Sequence, residues 1–180
     1  MKFARTTAAV LLATSFSLLS GLAHALPSDS NQPINVQADS AEMDDKRGVA
    51  IYRGDVVITQ GTLKITGDTV TITLDNNGAI DVFTSVGKPA YYEQQPSADK
   101  DIVQAYGLTI QYFASNERII IIDQAKVIQQ SNTFRGEKII YDTKKEIVTA
   151  GRAKQGTVTT PAPRINMVIQ PKNKAESPAP

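Results

Sequence analysis

The 180-residue sequence contains no cysteine and a single histidine, His24. Without cysteine there is no disulfide to hold the fold and no sulfur ligand for zinc, so stability must come from packing. His24 sits in an opening segment that reads as removable, which leaves the rest of the chain without an imidazole. That excludes a histidine-based nucleophilic triad and the usual zinc and copper sites. Beyond the opening, no window of eleven or more residues shows a capped 3.6-residue apolar repeat. Helices are therefore excluded, and so is a phosphate loop running into a helix N-terminus.

The opening itself has the grammar of a targeting segment. Lys2 and Arg5 form a basic start, Thr7–Leu22 is apolar and small, and Ala23-His24-Ala25 is an A-x-A cleavage signal. Cleavage is expected after Ala25, with residues 26–32 a flexible lead-in and no cysteine at the cut to carry a lipid. An exported chain without an anchor fits the bacterial periplasm or secretion beyond it. Removing Lys2 and Arg5 leaves 17 Lys+Arg against 18 Asp+Glu, a net charge of about −1. So balanced a charge argues against strong attraction to nucleic acid or anionic membrane.

What remains is patterned with period two. In Tyr52–Leu74, Tyr52, Val56 and Ile58 share one parity while Arg53, Asp55 and Thr59 take the other, as in a strand with one buried face. After Gly67 the apolar parity resumes at Val70, Ile72 and Leu74, and glycines 54, 61 and 67 mark bends. The pattern recurs 69 residues later. DVVITQ at 55–60 lies over QAKVIQ at 124–129, and ITGDTVTI at 65–72 over FRGEKIIY at 134–141. A small residue with apolar residues three and five positions on occurs at 38, 67, 107 and 136. These registers predict an all-β fold of two similar halves.

In chain order, Pro33–Val36 opens the first strand, Ala41 and Met43 belong to the next, and Asp44–Gly48 is a turn. Asp75-Asn76-Asn77-Gly78 is a hairpin signal. Ile80–Val86 is read as a strand broken by Gly87-Lys88-Pro89, with Ala90–Tyr92 resuming. Ile102–Tyr106 and Leu108–Tyr112 are two more. Ile119–Ile122, four isoleucines in a row, is either buried on both faces or an edge awaiting a partner. The β-domain spans 33–160. Arg164–Gln170 is a possible last strand in a 161–180 segment that ends as a disordered tail from Pro171.

Carboxylates are the remaining route to catalysis. Asp68 and Glu137 occupy equivalent repeat positions and could be cast as a glycosidase pair, though acids at a bend more simply bond local amides. Asp44-Asp45 and Asp75–Gly78 lack the calcium-loop spacing and read as turns. Tyr91, Tyr92, Tyr106, Tyr112, Phe113 and Tyr141 have no basic stripe between them, unlike a nucleic-acid platform, and are read as core or as ligand lining. No ten-residue alternation or aromatic girdle suggests an outer-membrane barrel.

The targeting segment, Gln32-Pro-Ile-Asn-Val36, YRGDVVITQG at 52–61, Gly67-Asp-Thr-Val70 and Gly87-Lys-Pro-Ala90 together resemble the OstA-like family of periplasmic lipopolysaccharide-transport proteins. The likeness runs from about Gln32 to Thr160. It departs where a family-like Gly-Asn pair is replaced by Asp123-Gln124. It implies a twisted, slightly open β-jellyroll of two antiparallel sheets with an apolar groove between them, and no catalysis or cofactor. Lipopolysaccharide would slide along the groove with its acyl chains inside. Members stack head to tail, from an inner-membrane-anchored periplasmic transporter subunit to the jellyroll of the outer-membrane translocon.

Family positions that contact acyl chains match Ile34, Val36, Tyr92 and Tyr112. Parity adds Tyr52, Val56, Ile58, Leu63 and Ile65. It also adds Ile72, Ile110, Val127, Phe134 and Tyr141, all of which could equally be plain core. The resemblance places the inner-membrane-side interface at Ile34, Asn35, Val36, Gln37 and Ala38. The next copy, or the translocon, would meet Ile147, Val148, Thr149 and Ala150 together with Ile165, Met167 and Ile169. Two other readings compete: a monomeric carrier of another lipid or of lipoproteins, and a carboxylate-based carbohydrate-active enzyme.

Overall fold

The computed structural model describes residues 29–151 and 164–169, and every strand among them joins one antiparallel sheet. The targeting segment, the Thr159–Pro163 break and the 171–180 tail lie outside the described residues. The strands are β1 (Ile34–Gln37), β2 (Ser40–Asp44), β3 (Val49–Gln60), β4 (Leu63–Leu74) and β5 (Ile80–Gln94). They continue as β6 (Val103–Phe113), β7 (Arg118–Gln129), β8 (Asn132–Asp142), β9 (Ile147–Gly151) and β10 (Asn166–Val168). The sheet order is β1-β3-β4-β5-β6-β7-β8-β10, with β2 also on β3 and β9 also on β8.

The short strands read from the sequence fuse into long ones. Ile80–Val86 and Ala90–Tyr92 are one strand, β5, and Ile102–Tyr106 and Leu108–Tyr112 fall together in β6. Glycine and proline bend these strands without ending them. Ladder register shifts at Arg53/Val56, Thr66/Thr69, Val86/Ala90, Tyr106/Thr109 and Ile122/Ala125. Such bulges side by side on successive strands form a crease. Space on its inner side is short: a Cβ on Gly107 would lie 2.4 Å from Ile121 Cγ2, and one on Gly67 2.3 Å from Ser85 Oγ.

The crease doubles the sheet onto itself. Tyr92 on β5 pairs with Ala105 on β6, and Tyr112 lies seven residues further along β6. A straight strand would separate these positions by about 23 Å. The Tyr92 and Tyr112 rings instead stand 5.4 Å apart, centroid to centroid. One layer holds β1, β10 and one half of each of β3–β8. The other holds β2, β9 and the remaining halves, eight half-strands apiece among the described residues.

Alternate residues of both layers point into the space between them. Val56, Ile58, Val70, Phe83, Ile119, Ile121 and Ile139 are among those with almost no exposed surface. Each such side chain contributes roughly 1.5–3 kcal/mol by leaving water. The four isoleucines resolve by parity: Ile119 and Ile121 are buried, while Ile120 and Ile122 are half-buried on the outer face. β7 lies between β6 and β8, so this run is not an edge. The Asp75 turn holds as read, with Asp75 Oδ1 accepting from the Asn77 and Ala79 amides at 2.8 and 2.9 Å.

Candidate functional site: a slot between the layers

Opposite the crease, the hairpin turns of the two layers face each other and the interior can reach solvent. At the β1–β2 end a cavity of about 300 Å³ lies between the layers, walled by Ile34 and Val36 on one side and Met43, Tyr52, Ile72 and Ile80 on the other. It shares Ile34 and Ile80 with a side chamber of about 550 Å³, which continues past Gln60, Ala114 and Ser115. That chamber shares Ser30, Gln60 and Ala114 with an inner one of about 110 Å³, lined by Asp29, Leu63, Gln94, Tyr112 and Glu117. The path is thus apolar at its mouth and gains polar walls further in, where Asp29, Gln94 and Glu117 line it.

The groove residues read from the sequence divide accordingly. Ile34, Val36, Tyr52 and Ile72 line the first cavity, while Leu63 and Tyr112 line the inner chamber. Val56, Ile58, Ile65, Tyr92, Ile110, Val127 and Tyr141 have at most 1% of their surface exposed and pack in the interlayer core. Phe134 is half-buried on β8, opposite Met167 of β10. Sequence reading missed Met43, Leu74 and Ile80 as cavity walls. Met43 and Leu74 carried the apolar parity, but only their place at the sheet end turns them toward the cavity.

Burial sets the chemistry of the inner tyrosines. It pushes the Tyr92 hydroxyl well above its ordinary pKa, and the nearby Tyr112, Asp29 and Glu117 add to the shift. Tyr112 and Tyr141 are each pushed up to about 12, again chiefly by burial. Tyr92 donates its proton to Gln94 Oε1, so the buried polar groups serve one another. Tyr91 and Tyr106 are not core. They lie half-buried on the outer face 4.9 Å apart, with Lys126 Nζ 4.6 Å above the Tyr106 ring.

Two contacts cross or cover the open side. Lys100 Nζ, in the β5–β6 loop, meets Glu146 Oε1 at 2.8 Å in the β8–β9 turn. Residues 26–32, expected to be loose, include a 3-10 turn at Asp29–Asn31 whose carboxylate binds the β3–β4 turn. Asp68 and Glu137 do not form a site. They lie on β4 and β8, four strand spacings or about 19 Å apart. Paired glycosidase carboxylates stand roughly 5–10 Å apart.

The sheet ends present short strands with apolar side chains. Met43 on β2 is 68% exposed, Ile147 on β9 54%, Met167 on β10 50% and the adjoining Ile169 66%. Each layer therefore ends in a short strand whose outer edge has no strand paired to it among the described residues.

Comparison with known proteins gives these features a family. Residues 35–147 match the family described as LptA/(LptD N-terminal domain) LPS transport protein. The chain is 63% identical over 176 residues to the lipopolysaccharide export system protein LptH of Pseudomonas aeruginosa, covering 98% of this chain and 100% of that one. It is 30% identical to LptA of Escherichia coli K12 over 183 residues, 99% of this chain and 97% of that one. The crystal structure of LptH, described as the LptA-homologous periplasmic component of the lipopolysaccharide transport device of Pseudomonas aeruginosa, superposes with a TM-score of 0.72. It is 67% identical and covers 81% of this chain and 100% of that one. The creased antiparallel sheet and these matches agree: the chain belongs to the LptA/(LptD N-terminal domain) family of lipopolysaccharide transport proteins.

Proposed function

We propose that this protein carries lipopolysaccharide across the periplasm, with acyl chains held between its two layers and no chemistry performed on the cargo. The carrying observation is the apolar cavity at the β1–β2 end, which lies between the layers and leads on into further chambers. Exposing an acyl chain of roughly twelve carbons to water costs about 10 kcal/mol, at about 0.8 kcal/mol per CH₂. An apolar slot removes that cost without directional bonds, so cargo can move along it. In this reading the creased sheet is a slightly open jellyroll. Its 69-residue half repeat is supported by matching corners: Gly54 and Asp55 have φ of +84° and +38°, and Asp123 and Gln124, 69 residues on, +60° and +55°.

Eight half-strands about 4.8 Å apart reach only about 40 Å, so a longer path needs copies in series. The outer edges of β1–β2 and β9–β10 suit β-augmentation between copies. Ile34–Ala38 would face the inner-membrane-anchored subunit, and Ile147–Ala150 with Ile165, Met167 and Ile169 the next copy or the outer-membrane translocon. A photo-crosslinker at Val36 should capture lipopolysaccharide from the mature protein. One at Ile120, on the outer face, should not; equal capture at both would overturn the slot. A monomeric carrier would stay one size at all concentrations, whereas the bridge should lengthen into rods in small-angle scattering.

A further inference from the structure

We propose that the turn Asp29–Gln32 is a gate across the open side of the slot, and that its carboxylate, with Glu117, admits hydrocarbon to the inner chamber while turning away anionic headgroups. This rests on the transport reading above. The turn is docked by side chains: the Thr62 amide donates to Asp29 Oδ1 at 2.7 Å, and Thr62 Oγ1 and Gln94 Nε2 donate to Oδ2 at 2.7 and 2.6 Å. Gln60 Nε2 adds a bond to the Gln32 carbonyl at 3.1 Å. The β3–β4 turn is shaped to receive this carboxylate, because a Cβ on Gly61 would fall 2.2 Å from Asp29 Oδ1.

Position makes the docked turn a gate. Ser30 walls both the side and the inner chamber, so the turn stands on the partition between them. Its composition makes opening feasible. Asp29-Ser30-Asn31-Gln32 carries no apolar side chain, so lifting it exposes no hydrocarbon of its own. The docking hydrogen bonds of Asp29 and Gln32 are lost, and water replaces them at a modest net cost.

Charge gives the gate a sense of cargo. Asp29 and Glu117 both line the inner chamber, and both act on the Tyr92 and Tyr112 hydroxyls after burial has raised them. Lys144 Nζ stands 3.8 Å from Glu117 Oε1 and offsets part of that charge from the exposed side. A phosphate brought there would still meet the Asp29 carboxylate and a partly screened Glu117, whereas a neutral chain would feel no like-charge repulsion. Headgroups would then stay at the surface while acyl chains travel inside.

The native chain has no cysteine, so a single reporter thiol can read the gate. Leu63→Cys places a thiol in the inner chamber, and Pro96→Cys provides a second reporter should the first not fold. In the mature protein, uncharged N-ethylmaleimide should label either thiol slowly. Asp29→Ala should raise that rate about tenfold by populating the open turn. Gly61→Ala, which ejects the carboxylate by contact, should do the same. A sulfonated maleimide should be slower still, and Asp29→Asn with Glu117→Gln should close most of the difference. Unchanged rates in Asp29→Ala and Gly61→Ala would overturn the gate, and an unchanged reagent preference in the double variant would overturn the charge filter. These rates involve no lipid, so they judge the gate alone. Lipopolysaccharide capture at Val36 judges the transport reading alone.

Discussion

Ile34 and Tyr92 face the same interlayer space but live in different surroundings. Ile34, on a four-residue edge strand, is half-buried beside an open cavity. Tyr92, in mid-sheet, has no exposed surface and lies tilted against Tyr112 from the opposite layer. Inward parity is common to both; neighbours on both flanks are not. A side chain in mid-sheet is enclosed by two flanking strands and a facing layer. At the end of the sheet one flank is missing, and the same parity yields a mouth instead of a core.

The widest contrast should come from burying a charge at each place. Ile58→Asp should cost about 4 kcal/mol or prevent folding, because nothing pairs a carboxylate in the sealed interior. Ile34→Asp should cost under about 1 kcal/mol in urea unfolding, since water reaches it, yet should abolish lipopolysaccharide capture. Equal losses of stability would erase the distinction between mouth and core.

Alkaline pH tests how tightly the inner tyrosines are held, Tyr141 in the core and Tyr112 on the chamber wall. Burial pushes both hydroxyls up to about 12 in the folded chain, from an ordinary 10.0. Their folded pKa values are raised, so their contribution is full below pH 10 and is lost as pH rises toward 12. Thermal unfolding should shift downward across that window. An unfolding temperature constant from pH 9 to 12 would count against a burial this tight.

A smaller effect is expected at the crease. Asp123 holds a φ of +60°, where an L residue is strained and glycine is not. Asp123→Gly should stabilise by about 0.5–1 kcal/mol in urea unfolding. Gly107→Ala, on the crowded inner side, should destabilise by about 2 kcal/mol. The smallest change belongs to Lys100→Ala. Its ion pair with Glu146 is about two-fifths exposed on each side, so the urea midpoint should barely move.

Much of the fold was legible because strands advertise one buried face. Val56, Ile58, Ile72 and Tyr141 carried the right parity and are buried in the interlayer space. Gly67 reads as a bend and is one, but Gly87 and Gly107, which read as breaks between strands, are corners inside continuous β5 and β6, because bending and termination look alike in sequence. Tyr91 and Tyr106, grouped with the inner aromatics by sequence, face outward: Tyr91 alternates with inward Tyr92, and the bulge between Tyr106 and Tyr112 changes the parity of β6. Asp29 was invisible as a site residue. Its partners, Thr62 and Gln94, lie 33 and 65 residues away.

The amino-acid order by itself determined a cysteine-free β-chain with one greasy face, because period and composition are local properties. Where that face is sealed and where it opens was decided only in three dimensions. Access depends on how many strands flank a residue and what lies across the gap, and both are set by pairing between distant segments.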